Sequence, residues 1–266
     1  MKLYTIESQG LAHKSYFLSD EKEAAVIDPR RDCEVYVRLA QRHCVKIKYI
    51  FETHRNEDYA VGSLELQKQT RAQICHSKEL NFKYGEHPLS DNEIFSVGNL
   101  KIKTIHTPGH TNESMCYAVN NNSDEPLLVF TGDTLFAGSV GRTDLYGKDA
   151  WQTQAEKLYD SLHEKLLRLG DGVVVFPGHG AGSVCGSEIG KQDFSSIGYE
   201  KKTNPYLKIN KEAFVERVMS LESWVPPYFH KMEKYNLNGP PLLRGLKLPK
   251  PLSADEFEAQ SDDVDS

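Results

Sequence analysis

Four apolar stretches of the sequence each end in a histidine or an aspartate where turn residues begin. These stretches are YIFETHRNED, KTIHTPGHT, LLVFTGDTLF and VVVFPGHGAG. Short apolar runs bounded by Asp, Gly and Pro predict strands followed by turns. Because a strand end is a rigid mount, the pattern predicts polar side chains held in fixed positions.

Helical periodicity interrupts the strands of the first half at 33–43 and at 59–70. A third helix is predicted in AWQTQAEKLYDSLHEKLLRLGDG, whose leucines share one stripe before a Gly stop. This order of elements predicts two sheets packed face to face with helices outside. After residue 195 we expect a loop, a helix from about Lys211, a Pro-rich extended segment and an acidic end.

Charge and composition narrow the class of protein. A net charge of −6 argues against nucleic acid as a partner, because phosphate binding needs a basic face. The sequence lacks an apolar window of the roughly 18 to 20 residues that a bilayer crossing needs. With no signal-peptide pattern at its start, we expect a cytoplasmic protein with no membrane partner. Its five scattered cysteines predict reduced thiols rather than disulfides.

The polar residues at the four strand ends are His54, His110, Asp133 and His179. Neutral imidazoles with a carboxylate are donors that divalent zinc or iron prefers, so the set predicts a metal centre. A single histidine at a strand end is more often an ordinary hydrogen-bonding residue, and the prediction depends on the set. The other histidines lack this context and are expected to be structural. They are His13, His43, His76, His87, His106, His163 and His230.

The order and spacing of TH…D, TPGHT, TGD and PGHG resemble the metallo-β-lactamase superfamily over residues 1 to about 195. The resemblance implies an α+β fold, a four-layer αβ/βα sandwich with the site along one edge and a C-terminal helical extension. It divides the chain into a catalytic domain, 1–238, with its core at 1–195 and its extension at 196–238. The remainder, 239–266, resembles a linker with an acidic tail and contains no rhodanese domain.

The first motif departs from the hydrolytic members of the superfamily, such as the glyoxalase II type, which carry THxHxDH and hold two zinc ions. His54 and Asp58 are kept here, but Asn56 and Tyr59 stand where two imidazoles would be. Asn and a neutral phenol are poor ligands, so two tightly bound zinc ions are not expected. The remaining donors are two imidazoles and one carboxylate, as in the facial triad of non-haem Fe(II) oxygenases. They are His54, His110 and Asp133.

Three further stretches resemble the persulfide dioxygenase branch of the superfamily: GSVGRTDL, GYEKKTNPYL and PGHGAGSVCG. That branch implies one Fe(II) per chain, O₂, and a thiol persulfide of the glutathione or coenzyme A type that is oxidised to sulfite and thiol. It also implies a homo-oligomer. The last stretch resembles bacterial forms in which the domain precedes rhodanese domains, so a separate rhodanese or other sulfurtransferase is an expected partner.

Residues around the triad receive expected roles, and three of them also have a plainer alternative. Asp58 would orient an imidazole or a bound water, or else cap a turn. Tyr59 would offer a hydroxyl to substrate, or else pack under the loop. His179 would donate or accept a hydrogen bond on the side of the site where O₂ would bind. Cys185 would carry sulfur transiently, or else fill space as a buried thiol.

Substrate recognition is the least constrained part of the sequence. Arg142 is the candidate for binding a substrate carboxylate, because its planar fork suits bidentate pairing. The alternative is an ion pair with Asp144. Lys202, with its neighbour Lys201, is a weaker candidate, since exposed lysines are common.

Two other functions remain open from the sequence. One is a zinc-dependent thioester hydrolase of the glyoxalase II type, which needs a metal-activated water. The other is a non-catalytic scaffold that senses a metal or sulfide. Asn56 and Tyr59 argue against the hydrolase.

Overall fold

The chain folds into two six-stranded mixed sheets that pack face to face. The computed structural model describes residues 1–186, 188–221, 224–246, 251–254 and 256–257. In the first sheet the strands follow chain order, antiparallel from β1 to β3 and parallel from β3 to β6. Its strands are β1 Lys2–Ser8, β2 His13–Asp20, β3 Glu23–Ile27, β4 Lys46–Phe51, β5 Gln73–Ser77 and β6 His87–Leu89.

The second sheet has the order β12-β11-β10-β9-β8-β7, and only β10 and β11 among its described neighbours run parallel. Its strands are β7 Ile94–Val97, β8 Leu100–His106, β9 Met115–Asn120, β10 Pro126–Gly132, β11 Val174–Pro177 and β12 Ser195–Ser196.

Six α-helices are described, and the first five cover the outer faces of the two sheets. They are α1 Glu34–His43, α2 Ser63–Thr70, α3 Lys148–Asp160, α4 Ile197–Thr203, α5 Lys211–Met219 and α6 Phe229–Asn238. A π-helical turn, Ser161–Lys165, and a 3-10 turn, Leu166–Arg168, extend α3, and a second 3-10 turn spans Leu243–Gly245.

Side chains that alternate along a strand pack on opposite faces of its sheet and so contribute to two different core layers. On β2, Tyr16 and Leu18 belong to the core between the sheets, whereas Phe17 packs on the other face with Tyr36 of α1 and Leu66 of α2. Successive strand side chains point to opposite faces, so a strand buried on both faces reads as a continuous apolar run. The third core lies between the second sheet and the helices α3 to α5.

The predicted four-layer αβ/βα sandwich with C-terminal helices is therefore confirmed, and α5 begins at Lys211 as expected. The helix predicted over 59–70 was wrong at its start, because residues 59–62 belong to an irregular loop and α2 begins at Ser63. Strands β6, β7 and β12 and helix α6 were not predicted. The loop expected between residue 195 and Lys211 was wrong in part, because α4 forms there with Ser196 as its N-cap. The acidic end, residues 258–266, lies outside the described residues. Across the described chain, no helix combines the length and apolar character that crossing a bilayer demands.

Candidate metal centre

The predicted strand ends meet at one place. His54 follows β4, His110 follows β8, Asp133 follows β10 and His179 follows β11. The rings of His54 and His110 have centroids 4.9 Å apart. His110 Nε2 is 3.7 Å from Asp133 Oδ2, and His179 Nδ1 is 2.8 Å from Asp133 Oδ1. These four side chains are buried. The fold thus gathers a polar cluster where strands of the two sheets end.

Glycines in two turns allow this close approach. Gly109 has a φ of +149° and lies against the backbone of Leu158 in α3, which brings His110 inward. A Cβ on Gly178 would lie 2.6 Å from Asp133 Oδ1, so only glycine leaves room for that carboxylate beside His179.

Hydrogen bonding fixes the tautomer of His54. The Thr53 hydroxyl donates to Asp28 Oδ2 at 2.7 Å, and His54 Nδ1 lies 2.8 Å from the same hydroxyl oxygen. Because the hydroxyl proton is already used, His54 donates from Nδ1 and keeps a lone pair on Nε2. That nitrogen is buried and has no hydrogen-bond partner.

His110 is held in the same tautomer by a different partner. Its Nδ1 lies 2.8 Å from the carbonyl oxygen of Arg142, which can only accept. Its Nε2 is likewise buried without a hydrogen-bond partner. Both rings therefore turn Nε2 toward the same space, an orientation typical of histidines that ligate metals.

Glu57 faces these two nitrogens and was missed by the sequence analysis. Its Oε1 lies 3.4 Å from His110 Nε2 and its Oε2 lies 3.7 Å from His54 Nε2. The side chain is fully buried, and neither carboxylate oxygen has a hydrogen-bond partner among the residues that the structure describes. Donor atoms of His54, Glu57 and His110 lie within 4.8 Å of one another, which fits a single divalent cation.

The buried carboxylate of Glu57 needs a positive charge beside it to offset the cost of its own burial. Burial, reinforced by His110, lowers the pKa of His54 to about 3, so this ring is neutral. Burial also disfavours charge on His110, but the Glu57 carboxylate outweighs it and raises the pKa of His110 to about 9. A proton on His110 or a cation between the side chains can balance Glu57, and metal binding competes with that proton.

The other side of the centre has its polar atoms paired. His179 Nδ1 contacts Asp133, and its Nε2 lies 2.9 Å from Asp58 Oδ2. Burial opposes a charged ring, yet Asp133 and Asp58 raise the pKa of His179 well above its usual value. Asp58 thus contacts an imidazole, and its expected role in orienting that ring stays a prediction. The predicted role of Asp133 as a ligand stays a prediction.

Cys185 lies beside this paired group, as the Gly-rich turn before it suggested. Its sulfur and donor atoms of Asp58 and His179 lie within 4.8 Å of one another. Burial first, and then the nearby carboxylates of Asp58 and Glu57, raise the pKa of the thiol well above its usual value. Cys185 is therefore a neutral thiol in the metal-free protein.

The rings of His13 and Tyr59 pack against each other beside His179. The rings of His13 and Tyr59 have centroids 4.0 Å apart, and His13 lies 5.7 Å from the His179 ring. His13 Nε2 and the Tyr59 hydroxyl are buried without hydrogen-bond partners. The packing alternative for Tyr59 is supported, and the position of His13 was missed because its sequence context is an ordinary strand.

Helix α6 holds the loop that carries Glu57. Asn236 Nδ2 donates to the carbonyl oxygens of Asn56 and Tyr59 at 2.7 and 2.6 Å, and Asn236 Oδ1 accepts from Val61 N at 3.0 Å. Arg55 pairs with Glu233 of the same helix at 2.7 Å. The loop geometry therefore depends on a helix almost 180 residues away in sequence.

The guanidinium group of Arg142 is already occupied. Its Nε and Nη2 donate to the two oxygens of Asp144 at 2.7 Å, and its Nη1 donates to the carbonyl oxygens of Val184 and Trp224. The structure thus shows the ion pair with Asp144 and four of the five N–H donors engaged, and the expected grip on a substrate carboxylate stays a prediction. Its backbone carbonyl, which fixes His110, is the contribution that Arg142 makes to the centre.

Lys202 lies exposed on α4, and its neighbour Lys201 pairs with Asp171 at 2.6 Å. Neither lysine has a described contact with the clustered side chains. A part for Lys202 in substrate binding stays a prediction.

Comparison with known proteins agrees with the resemblance. Residues 9–179 match the family described as the metallo-beta-lactamase superfamily. The chain is 31% identical over 170 residues to a hydroxyacylglutathione hydrolase from Dictyostelium discoideum. That match covers 62% of this chain and 61% of the relative.

Two solved structures are similar over most of the chain. A metallo-beta-lactamase from Staphylococcus aureus is 30% identical with a TM-score of 0.86, covering 97% of this chain and 82% of that one. ETHE1 from Myxococcus xanthus is 26% identical with a TM-score of 0.78, covering 90% of this chain and 100% of that one.

Proposed function

This chain belongs to the metallo-β-lactamase superfamily, and we propose that it is a persulfide dioxygenase with one Fe(II). It would oxidise a low-molecular-weight thiol persulfide, of the glutathione or coenzyme A type, to sulfite and thiol. The observation that carries the proposal is the asymmetry of the centre. One side presents unpartnered donors for a cation, whereas the other side engages His179 with two carboxylates.

The reaction balances as one persulfide, one O₂ and one water giving one thiol, one sulfite and two protons. A bound Fe(II) supplies open coordination positions and a redox step that zinc lacks. The chain's own residues prepare this chemistry. Thr53 and the Arg142 carbonyl fix two imidazoles with Nε2 inward, and the buried surroundings exclude bulk water.

The similarity to ETHE1 supports this proposal, since it extends over nine tenths of the chain. Similarity to hydroxyacylglutathione hydrolases supports the alternative of a zinc thioesterase. One specific contact favours that alternative. Asp58, His179 and Cys185 bring three donor atoms together and could hold a second cation if the His179 hydrogen bonds were replaced. A homo-oligomer and a separate sulfurtransferase partner are further parts of the dioxygenase proposal.

The decisive experiment is anaerobic reconstitution with iron followed by measurement of O₂ uptake with glutathione persulfide and coenzyme A persulfide. We expect one iron per chain, with O₂ consumed and sulfite formed in equal amounts. The zinc-loaded protein is the control and should consume no O₂. Two zinc ions per chain with hydrolysis of an acyl-glutathione thioester would instead establish the hydrolase.

A further inference from the structure

We propose that Glu57 is a metal ligand and replaces the imidazole that the first motif lacks. The ligand set is then His54, Glu57 and His110. This inference rests on the proposed function only in requiring a bound divalent cation, and not on oxygen chemistry. It differs from the triad that the sequence predicts, in which Asp133 supplies the carboxylate.

The geometry favours Glu57 over the residue that stands at the missing position. Asn56 turns its amide back on its own loop, where Nδ2 donates to the carbonyl oxygen of His54 at 3.3 Å. The next residue, Glu57, faces both free imidazole nitrogens instead. One residue further along the loop thus fills the space that the absent imidazole leaves.

Unpaired polar atoms provide the second argument. Both Glu57 oxygens, His54 Nε2 and His110 Nε2 are buried and unpartnered in one small space. Burying an ionised carboxylate is costly unless a positive charge lies beside it, and either a proton on His110 Nε2 or a cation supplies that charge. A divalent cation among these atoms satisfies all of them together.

Asp133 has a different set of contacts. Both of its oxygens lie within hydrogen-bonding distance of His179 Nδ1, at 2.8 and 3.0 Å. Its Oδ2 is 3.7 Å from His110 Nε2 and therefore borders the cation space. Asp133 acts mainly as the partner of His179, whereas Glu57 faces the two imidazole nitrogens. Donor atoms of Glu57, Asp133 and Cys185 also lie within 4.8 Å of one another, so both carboxylates border the cation space.

The test is Glu57→Gln, which keeps the side chain's shape and removes its charge. Binding of Zn(II) is measured by calorimetric titration, and the ligand field of bound Co(II) is followed by visible absorption. We expect at least about a 10-fold loss of Zn(II) affinity and a changed Co(II) spectrum. The metal-free variant should still unfold cooperatively, at a lower denaturant concentration than the wild type, because it loses the charge that pairs with His110.

The matched control is Glu200→Gln, because Glu200 is an equally buried carboxylate with hydrogen bonds to Gly138 N, Ser195 and Asn204. This control should keep wild-type affinity and spectrum. Wild-type Zn(II) affinity with an unchanged Co(II) spectrum in Glu57→Gln would overturn the assignment. Cation binding through Glu57 without O₂ uptake would overturn only the dioxygenase, and a wild-type protein that takes up no cation would overturn both.

Discussion

The two sides of the candidate metal centre satisfy their polar atoms in opposite ways. Around His179, two carboxylates lie on either side of one imidazole, at 2.8 and 2.9 Å, and the ring can hold their countercharge as a proton. Around Glu57, one carboxylate faces the inward nitrogens of two imidazoles, of which His54 is neutral and His110 holds a proton in the metal-free protein. The two sides use the same residue types, and only the hydrogen bonds behind each ring distinguish them.

This difference shows how a two-cation framework can be reduced to one cation. A ring whose outer nitrogen donates to Thr53 or to a carbonyl offers its inner nitrogen to a metal. A ring placed between two carboxylates uses both nitrogens as donors and offers none. We therefore expect substitutions on the Glu57 side to change cation binding and substitutions on the His179 side to change stability.

The largest expected effect comes from His110→Ala. Losing one of two imidazoles should reduce cation content after reconstitution to less than about a tenth of wild type. Metal analysis on desalted protein measures this, with His230→Ala on the exposed face of α6 as the control. Full cation content in His110→Ala would contradict the single-cation arrangement.

His179→Ala should instead keep iron content near the wild-type value while slowing turnover. The substitution leaves Asp133 and Asp58 buried without their shared partner, so we expect the free energy of unfolding to fall by about 3 to 5 kcal/mol. Urea unfolding of the metal-free protein and metal analysis together test this. An iron content as low as that of His110→Ala would show that His179 is a ligand. The two sides of the centre would then not differ in cation binding.

Asn236→Ala tests whether the Glu57 loop needs α6. Two carbonyl groups and one amide lose their partner in a buried position, which should lower the free energy of unfolding by about 2 to 3 kcal/mol. Zn(II) affinity should fall as well, because the loop is less fixed. Asn238→Ala, which removes one exposed bond to the Lys234 carbonyl, should change neither quantity.

The smallest effect is expected for Cys185→Ser. A fully buried neutral thiol is a poor nucleophile, so turnover with either persulfide should change by less than about twofold. Steady-state O₂ uptake measures the change. A loss greater than tenfold, with cation content intact, would show that Cys185 carries sulfur.

Local sequence patterns predicted the parts of this molecule that local physics determines. The strand ends carrying His54, His110, Asp133 and His179 follow from apolar runs closed by Gly, Pro and Asp, and the structure brings them together. The double burial of the strands follows from their unbroken apolar character.

What the sequence did not reveal depends on irregular backbone and distant contacts. Periodicity gives no direction for a side chain in a loop, so Glu57 read as one more charge, although a carboxylate directly beside Asn56 was an available signal. The Asn236 contacts join residues 175 to 180 positions apart, and no short pattern reports them. Arg142 had two plausible partners, and only three-dimensional packing identified Asp144.

Asn236 of α6 donates hydrogen bonds to both ends of the Asn56–Tyr59 segment. Local unfolding of α6 and opening of that loop should therefore occur together. Backbone amides in the two segments should then exchange with solvent at a common rate, although they are far apart along the chain. The residence time of an ion held by Glu57 would consequently depend on how often α6 detaches from the loop that carries Glu57.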